Sequence, residues 1–257
     1  MSTCVINKKF HAVEPPERAG ETPEPSERVL RVAEMFGIGA DESYEVTLYD
    51  GLALDVRPGD VVYVTGPSGG GKSVLLRCLA EELGRAWPDV PCVDLAEVEP
   101  PPDQSVIDGL AVEFETALRL VSTAGLADAF LLLRRPGALS DGQRWRLRLA
   151  HALACLLAPR HGEPGRERNE ADRRSLREPA RLLVADELAS TLDRLCARAV
   201  AYRLRRVADR WGVTILAASA HDDLVEDLAP DVLVRKHAGP RVEVHYADPL
   251  RGREGTR

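Results

Sequence analysis

Eight consecutive residues, Gly66-Pro67-Ser68-Gly69-Gly70-Gly71-Lys72-Ser73, have the types and order needed to hold a chain of phosphates. Glycines let backbone N–H groups turn inward and approach phosphate oxygens at a range that a Cβ would obstruct. The pattern GxxxxGK[ST] gains its meaning from its flanks. Both flanks are present, an apolar strand Val61 to Thr65 before it and an apolar helix opening at Val74 after it. In that setting the helix N-terminus adds partial positive charge. Lys72 then bridges the β- and γ-phosphates, the Ser73 hydroxyl ligates Mg²⁺, and the amides from Gly66 to Val74 surround the anion.

Such a loop needs a carboxylate at the end of a neighbouring strand to hold the metal, and a group to orient the attacking water. Leu182-Leu183-Val184-Ala185-Asp186-Glu187 supplies both. Asp186 would hold Mg²⁺ through its water shell, and Glu187, projecting to the other side, would act as general base. Alone, an apolar run ending in two acids is an ordinary strand end at a surface; the phosphate loop is what gives it a chemical reading.

The elements that must position these groups are legible in outline. Residues 12–27 are rich in Pro, Glu and small residues, a composition that cannot offset its ordering entropy. Ser26 caps a short helix with Val29, Ala33 and Phe36 on one face and Gly37 as its stop. Strands are expected at Tyr44 to Tyr49 and Leu52 to Val56, with Pro58-Gly59-Asp60 turning into Val61 to Thr65. The helix after the loop should end near Gly84, followed by a strand Val90 to Leu95, helical segments Val106 to Val121 and Leu126 to Leu133, and a long helix from Ser140-Asp141. Residues 159–179 are dense in charge with one large apolar side chain, the composition of an exposed insertion. Beyond it come a strand Leu182 to Ala185, a helix from about Thr191 to Trp211, a strand Val213 to Ala218, a short helix after His221 and closing strands near Val232 and Val242. Strands alternating with helices predict an α/β core with a largely parallel sheet.

At Leu139-Ser140-Asp141-Gly142-Gln143 the sequence resembles the ABC-type ATPases, whose signature is LSGGQ at a helix start. Ser190-Thr191-Leu192-Asp193 is similar to the family's D-loop and His221 to its switch histidine. The matches span roughly residues 44–239 in the family's order. The resemblance implies a P-loop NTPase fold with an N-terminal β subdomain and a reduced helical subdomain. It also implies hydrolysis of Mg-ATP in a head-to-tail homodimer, the phosphate loop of one subunit facing the signature of the other. Ser140, the Gly142 amide and Gln143 would then meet the partner's ATP, His221 would contact the γ-phosphate, and Asp193 would line the interface. The family stacks adenine on an aromatic before the loop, here Tyr44 or Phe36. Gln104 is the available Gln for its metal-binding Q-loop. Asp141 replaces the first signature Gly and either repels the incoming triphosphate or caps its own helix. The wording of VYVTGPSGGGKSVLLR, LSDGQRWRLRLA and AHDDLVEDLAPDVL looks like soluble ABC-type ATPases, some of whose relatives carry an acetyltransferase domain. No such domain is visible here. The expected organisation is a flexible tail 1–27, an ATPase domain 28–246 with its helical subdomain at about 103–157 and the charged insertion at about 159–179, and a tail 247–257.

Composition bounds what such a switch acts on. The chain has 257 residues and a net charge of −7, from 34 Lys and Arg against 41 Asp and Glu, which argues against bulk coating of nucleic acid. Arg134, Arg135, Arg144, Arg146, Arg148 and the Arg-rich insertion leave an ATP-clamped nucleic-acid binder as an alternative. The ATP-binding subunit of a membrane transporter is the other alternative, disfavoured by the short stretch between Lys72 and Ser140. No apolar run approaches the ~20 residues that cross a bilayer and no signal-peptide core begins the chain. Five scattered cysteines without a CxxC pair read as reduced, mostly buried thiols of a cytoplasmic protein. The partner of the switch is left unknown.

Overall fold

The computed structural model describes residues 2–11, 26–37, 45–88, 90–157 and 181–248. Tyr44, residues 12–25, the charged insertion at 159–179 and most of the expected C-terminal tail lie outside the described residues. A six-stranded sheet organises the core in the order β4-β5-β6-β3-β7-β8. Its strands are β3 (Val61–Thr65), β4 (Cys92–Asp94), β5 (Arg181–Ala185), β6 (Val213–Ser219), β7 (Val232–Lys236) and β8 (Val242–Tyr246). All neighbours run parallel except the edge strand β8, which returns antiparallel to β7.

The period-2 alternation of a strand divides the apolar side chains between two cores. Val61 and Tyr63 of β3 join Leu183, Ala185, Ile215 and Ala217 on the face covered by α3 (Phe114–Thr123), α5 (Asp141–Leu157) and α6 (Arg194–Trp211). Val62 and Val64 join Leu182, Leu216 and Val234 on the other face, under α2 (Lys72–Ala86) and a two-stranded sheet. That smaller sheet pairs β1 (Ser2–His11) antiparallel with β2 (Glu45–Val56). The helices α1 (Glu27–Phe36), α4 (Ala129–Leu132) and α7 (Val225–Leu228) and the 3-10 turns Leu95–Glu97 and Pro136–Ala138 complete the described elements.

Several expectations need correction. The tail reading of 1–27 fails at its start, because Cys4 and Ile6 alternate inward from β1 and are 3% exposed. The two strands expected at 44–56 are one strand with two register shifts, and Gly51 at φ +61 lets it bulge without breaking. Gly84 lies inside α2, which runs to Ala86. The first helix of the expected helical region begins only at Phe114, where the Glu113 side chain accepts from the Glu115 and Thr116 amides. Of the five free cysteines only Cys4 is buried; Cys92 and Cys155 are exposed. No described helix is long and apolar enough to cross a membrane.

Candidate active site

The phosphate loop sits where β3 gives way to α2, and three contacts fix its path. Gly66 has φ +143, and a Cβ there would lie 2.2 Å from the Lys236 carbonyl oxygen of β7. Gly71 at φ +89 packs on Leu48, and its carbonyl accepts a 3.0 Å hydrogen bond from the Tyr49 hydroxyl. Lys236 runs beneath the loop, 2% exposed, its amine 5.3 Å from the Tyr49 ring centre and donating to the His237 and Gly239 carbonyls. Burial holds the Lys236 amine below the ordinary lysine range. Pro67, Ser68 and Gly69 stay exposed at the crest, and the Gly70 amide closes the turn onto the Pro67 carbonyl at 3.1 Å.

Lys72 folds back so that its amine donates to the Gly66 and Pro67 carbonyls, each at 2.9 Å. Ser73 is exposed in the first turn of α2, and Val74 is half-buried behind it. A cradle that a Cβ would fill, a half-buried amine within the loop's ring and a hydroxyl at a helix start together fit a triphosphate with its Mg²⁺.

The acidic pair occupies the end of β5, separated from β3 by β6 alone. Ala185, Ala217 and Tyr63 share one level across the three strands, so the residues that follow each strand emerge at the same rim. At ~4.8 Å per strand, Asp186 stands about 10 Å across the sheet from the loop strand, a span for phosphates and a hydrated ion. Glu187 adopts φ +50 and Ala189 φ +57. Left-handed backbone in a non-glycine residue costs energy and gathers at functional sites. The turn is held by the Leu188 amide on the Ala218 carbonyl at 2.7 Å and by the Glu187 amide on the Asp186 carboxylate at 2.9 Å. It buries Leu188 and leaves the Glu187 carboxylate exposed. His221, two residues beyond β6, is exposed at the same rim.

The signature forms a second cluster. Ser140 and Gln143 cap α5 reciprocally, the Ser140 hydroxyl accepting from the Gln143 amide at 3.3 Å and the Gln143 side chain accepting from the Ser140 amide at 3.0 Å. Asp141 is therefore not the cap. Its carboxylate pairs with Arg144, which also donates to the Leu139 carbonyl. A Cβ on Gly142 would meet Leu192 and the Thr191 carbonyl at 3.1 Å, so signature and D-loop touch within one chain. Asp193 caps α6 by accepting from the Cys196 amide, and hydrogen bonds from the Cys196 thiol and then from its amide hold the Asp193 carboxyl below the usual range. Arg146 is likewise engaged, on the Gly142 and Gly125 carbonyls.

Two further sequence-derived residues are exposed. Gln104 is exposed in the turns beyond β4, and no hydrogen bond among the described residues ties it to the loop or to Asp186. Phe36, the alternative to Tyr44 for adenine, is 72% exposed at the end of α1. Sequence reasoning in turn missed Tyr49, Lys236 and Tyr63, whose partners are remote in the chain.

No family model matches the chain. It is 30% identical over 240 residues to the hemin import ATP-binding protein HmuV of Pseudomonas aeruginosa, covering 80% of this chain and 86% of that one. It is 27% identical over 217 residues to the methionine import ATP-binding protein MetN of Rhizobium etli, spanning 72% of this chain and 53% of that relative. The fold matches the dimeric structure of a bacterial ABC transporter cassette with a TM-score of 0.55 and 16% identity, over 78% of this chain and 91% of that one.

Proposed function

Because the chain belongs to the ABC-type ATPases, we propose that it binds Mg-ATP at Gly66–Val74 and hydrolyses it in a head-to-tail dimer that drives a partner. Lys72 leaves the Gly66 and Pro67 carbonyls for the β- and γ-phosphates. Mg²⁺ held by Ser73 and Asp186 would offset the charge that builds on the phosphates. Glu187 takes a proton from the attacking water, and His221 contacts the γ-phosphate from the neighbouring strand end. Ser140, Gly142 and Gln143 offer a capped helix start to the partner's ATP, with Asp193 beside them. Organised this way, the domain is the core seen from β2 to β8 with a reduced helical region.

The observation that carries this reading is the exposed Glu187 carboxylate on a left-handed turn at the rim shared with the phosphate loop. Glu187→Gln tests it, because the amide keeps the shape but accepts no proton. The variant should bind ATP normally, lose about 10²- to 10⁴-fold in turnover, and form an ATP-dependent dimer by light scattering. Hydrolysis at the wild-type rate would reject Glu187 as the base.

For the partner, the names of the relatives favour the subunit of an import system over a free switch, against the direction taken from the short helical region. Exposed Phe114, Phe130 and Leu133 in that region support a bound protein there. Co-purification with a membrane protein that depends on Phe130 and Leu133 would distinguish the two.

A further inference from the structure

Tyr63 is fully buried in β3, on the face packed by aliphatic and alanine side chains such as Val61, Leu183, Ala185 and Ala217. A phenylalanine would fill that space equally well, and a phenol without a partner is costly to bury. The hydroxyl donates a 2.9 Å hydrogen bond to the main-chain carbonyl of His221, 158 positions away in sequence, and the Ser219 side chain hydrogen-bonds it from the end of β6. Tyr63 stands level with Ala217 in the parallel register, so the ring reaches forward from the sheet to the loop beyond β6. Burial pushes the phenol pKa up to about 12, which keeps it a donor at any working pH.

Other ties on this loop lie nearer solvent. The His221 amide donates to the Ser219 hydroxyl at 3.2 Å. Asp222 pairs with Arg235 at 3.2 Å and Asp223 with Arg194 at 2.8 Å, through side chains that water reaches; exposed pairs of this kind are screened and contribute little. Tyr63 differs because it is anchored in the core, three residues before Gly66. Any shift of the phosphate-loop strand is thereby passed to the histidine backbone.

We propose that Tyr63 is a positioning residue for ATP turnover, whose buried hydroxyl fixes the His221 main chain, and with it the imidazole, to the strand that carries the phosphate loop. The proposal rests on the reading of His221 as a γ-phosphate contact. Tyr63→Phe in the full chain removes the hydroxyl and keeps the ring. Because small displacements of a group in contact with the reacting atoms cost turnover far more than binding, kcat should fall about tenfold with KM for ATP within about twofold. Amide hydrogen exchange should quicken at residues 220–223 and stay unchanged in α2. In a His221→Ala background, adding Tyr63→Phe should lower kcat no further. A Tyr63→Phe protein with wild-type kcat beside an impaired His221→Ala would overturn the proposal alone. So would a Tyr63→Phe loss that persists undiminished in the His221→Ala background, since it would then act through packing. If His221→Ala itself turned over at the wild-type rate, the γ-phosphate reading would fall and the proposal with it.

Discussion

Gly66→Ala strikes the point where the phosphate loop is pressed against the sheet. The new Cβ would lie 2.2 Å from the Lys236 carbonyl oxygen and 3.1 Å from the Lys236 Cβ. That oxygen belongs to a strand bonded to β3 on one side and β8 on the other, so relief requires the loop to rise by about 1 Å. Overpacking of this kind costs roughly 1–3 kcal/mol. An alanine at φ +143 adds about 1–3 kcal/mol of backbone strain. The sum, ~2–6 kcal/mol, is a large part of the ~5–15 kcal/mol that holds an ordinary domain folded. Gly69→Ala is the control: its φ of +72 is also left-handed, but nothing lies within 4 Å of the added carbon, so only about 1–2 kcal/mol of strain applies. Urea unfolding should place the Gly66→Ala midpoint clearly below that of Gly69→Ala, by about 1 M for a chain of this size. Calorimetry should find ATP binding to Gly66→Ala at least about tenfold weaker than wild type, because amides displaced by that much lose their hydrogen-bond geometry. Equal midpoints for the two variants would refute the account of the clash.

Lys72→Ala should weaken ATP binding by about 10²-fold or more, since the triphosphate loses its main cation; unchanged calorimetric affinity would remove the phosphate-loop reading. Asp141→Gly should move the dissociation of an ATP-trapped Glu187→Gln dimer by less than about threefold, because Arg144 already offsets the carboxylate, whereas Arg144→Ala should weaken it about tenfold by baring the acid. A much tighter Asp141→Gly dimer would restore the repulsion reading. His151 has its pKa lowered by burial. Between that lowered value and the ordinary 6.5 the unfolded chain binds the extra proton, so stability rises with pH across the window. His151→Gln should lose that share of the dependence in urea midpoints compared at about pH 5.5 and 7.5, and an identical pH dependence in both proteins would discount it.

What could be read from the chain alone was what is local. The phosphate loop with its flanking strand and helix, the turn at Pro58-Gly59-Asp60, and the helix stop at Gly37 each depend on residues within a few positions. The capping box Ser140-x-x-Gln143 was equally local, yet the family signature drew those residues toward a ligand. β1 is masked in the sequence by the Pro- and Glu-rich stretch that follows it, although Cys4 and Ile6 carry the alternation of a half-buried strand. Lys236 and Tyr63 were out of reach. A lysine at a strand end reads as solvent-exposed, and a tyrosine in a strand reads as packing; only the fold sets one beneath Gly66 and Gly70 and the other against His221. Gln104 is the available Gln in the stretch, and the structure places it exposed in the turns ten residues beyond the end of β4 at Asp94.

The placement of β3 also bears on how the chain is made. Both of its neighbours, β6 and β7, come from the last fifth of the sequence, so a nascent chain that has emerged only as far as α5 carries the phosphate loop on a strand with nothing beside it. Gly66 then has no Lys236 to rest on, Tyr63 has no carbonyl to meet, and the long-range pairing that closes the sheet waits for the C-terminal strands to leave the ribosome. Nucleotide cannot shepherd the early stages of folding. It can stabilise only the finished chain, and a message truncated before β7 would yield a protein that ATP does not rescue.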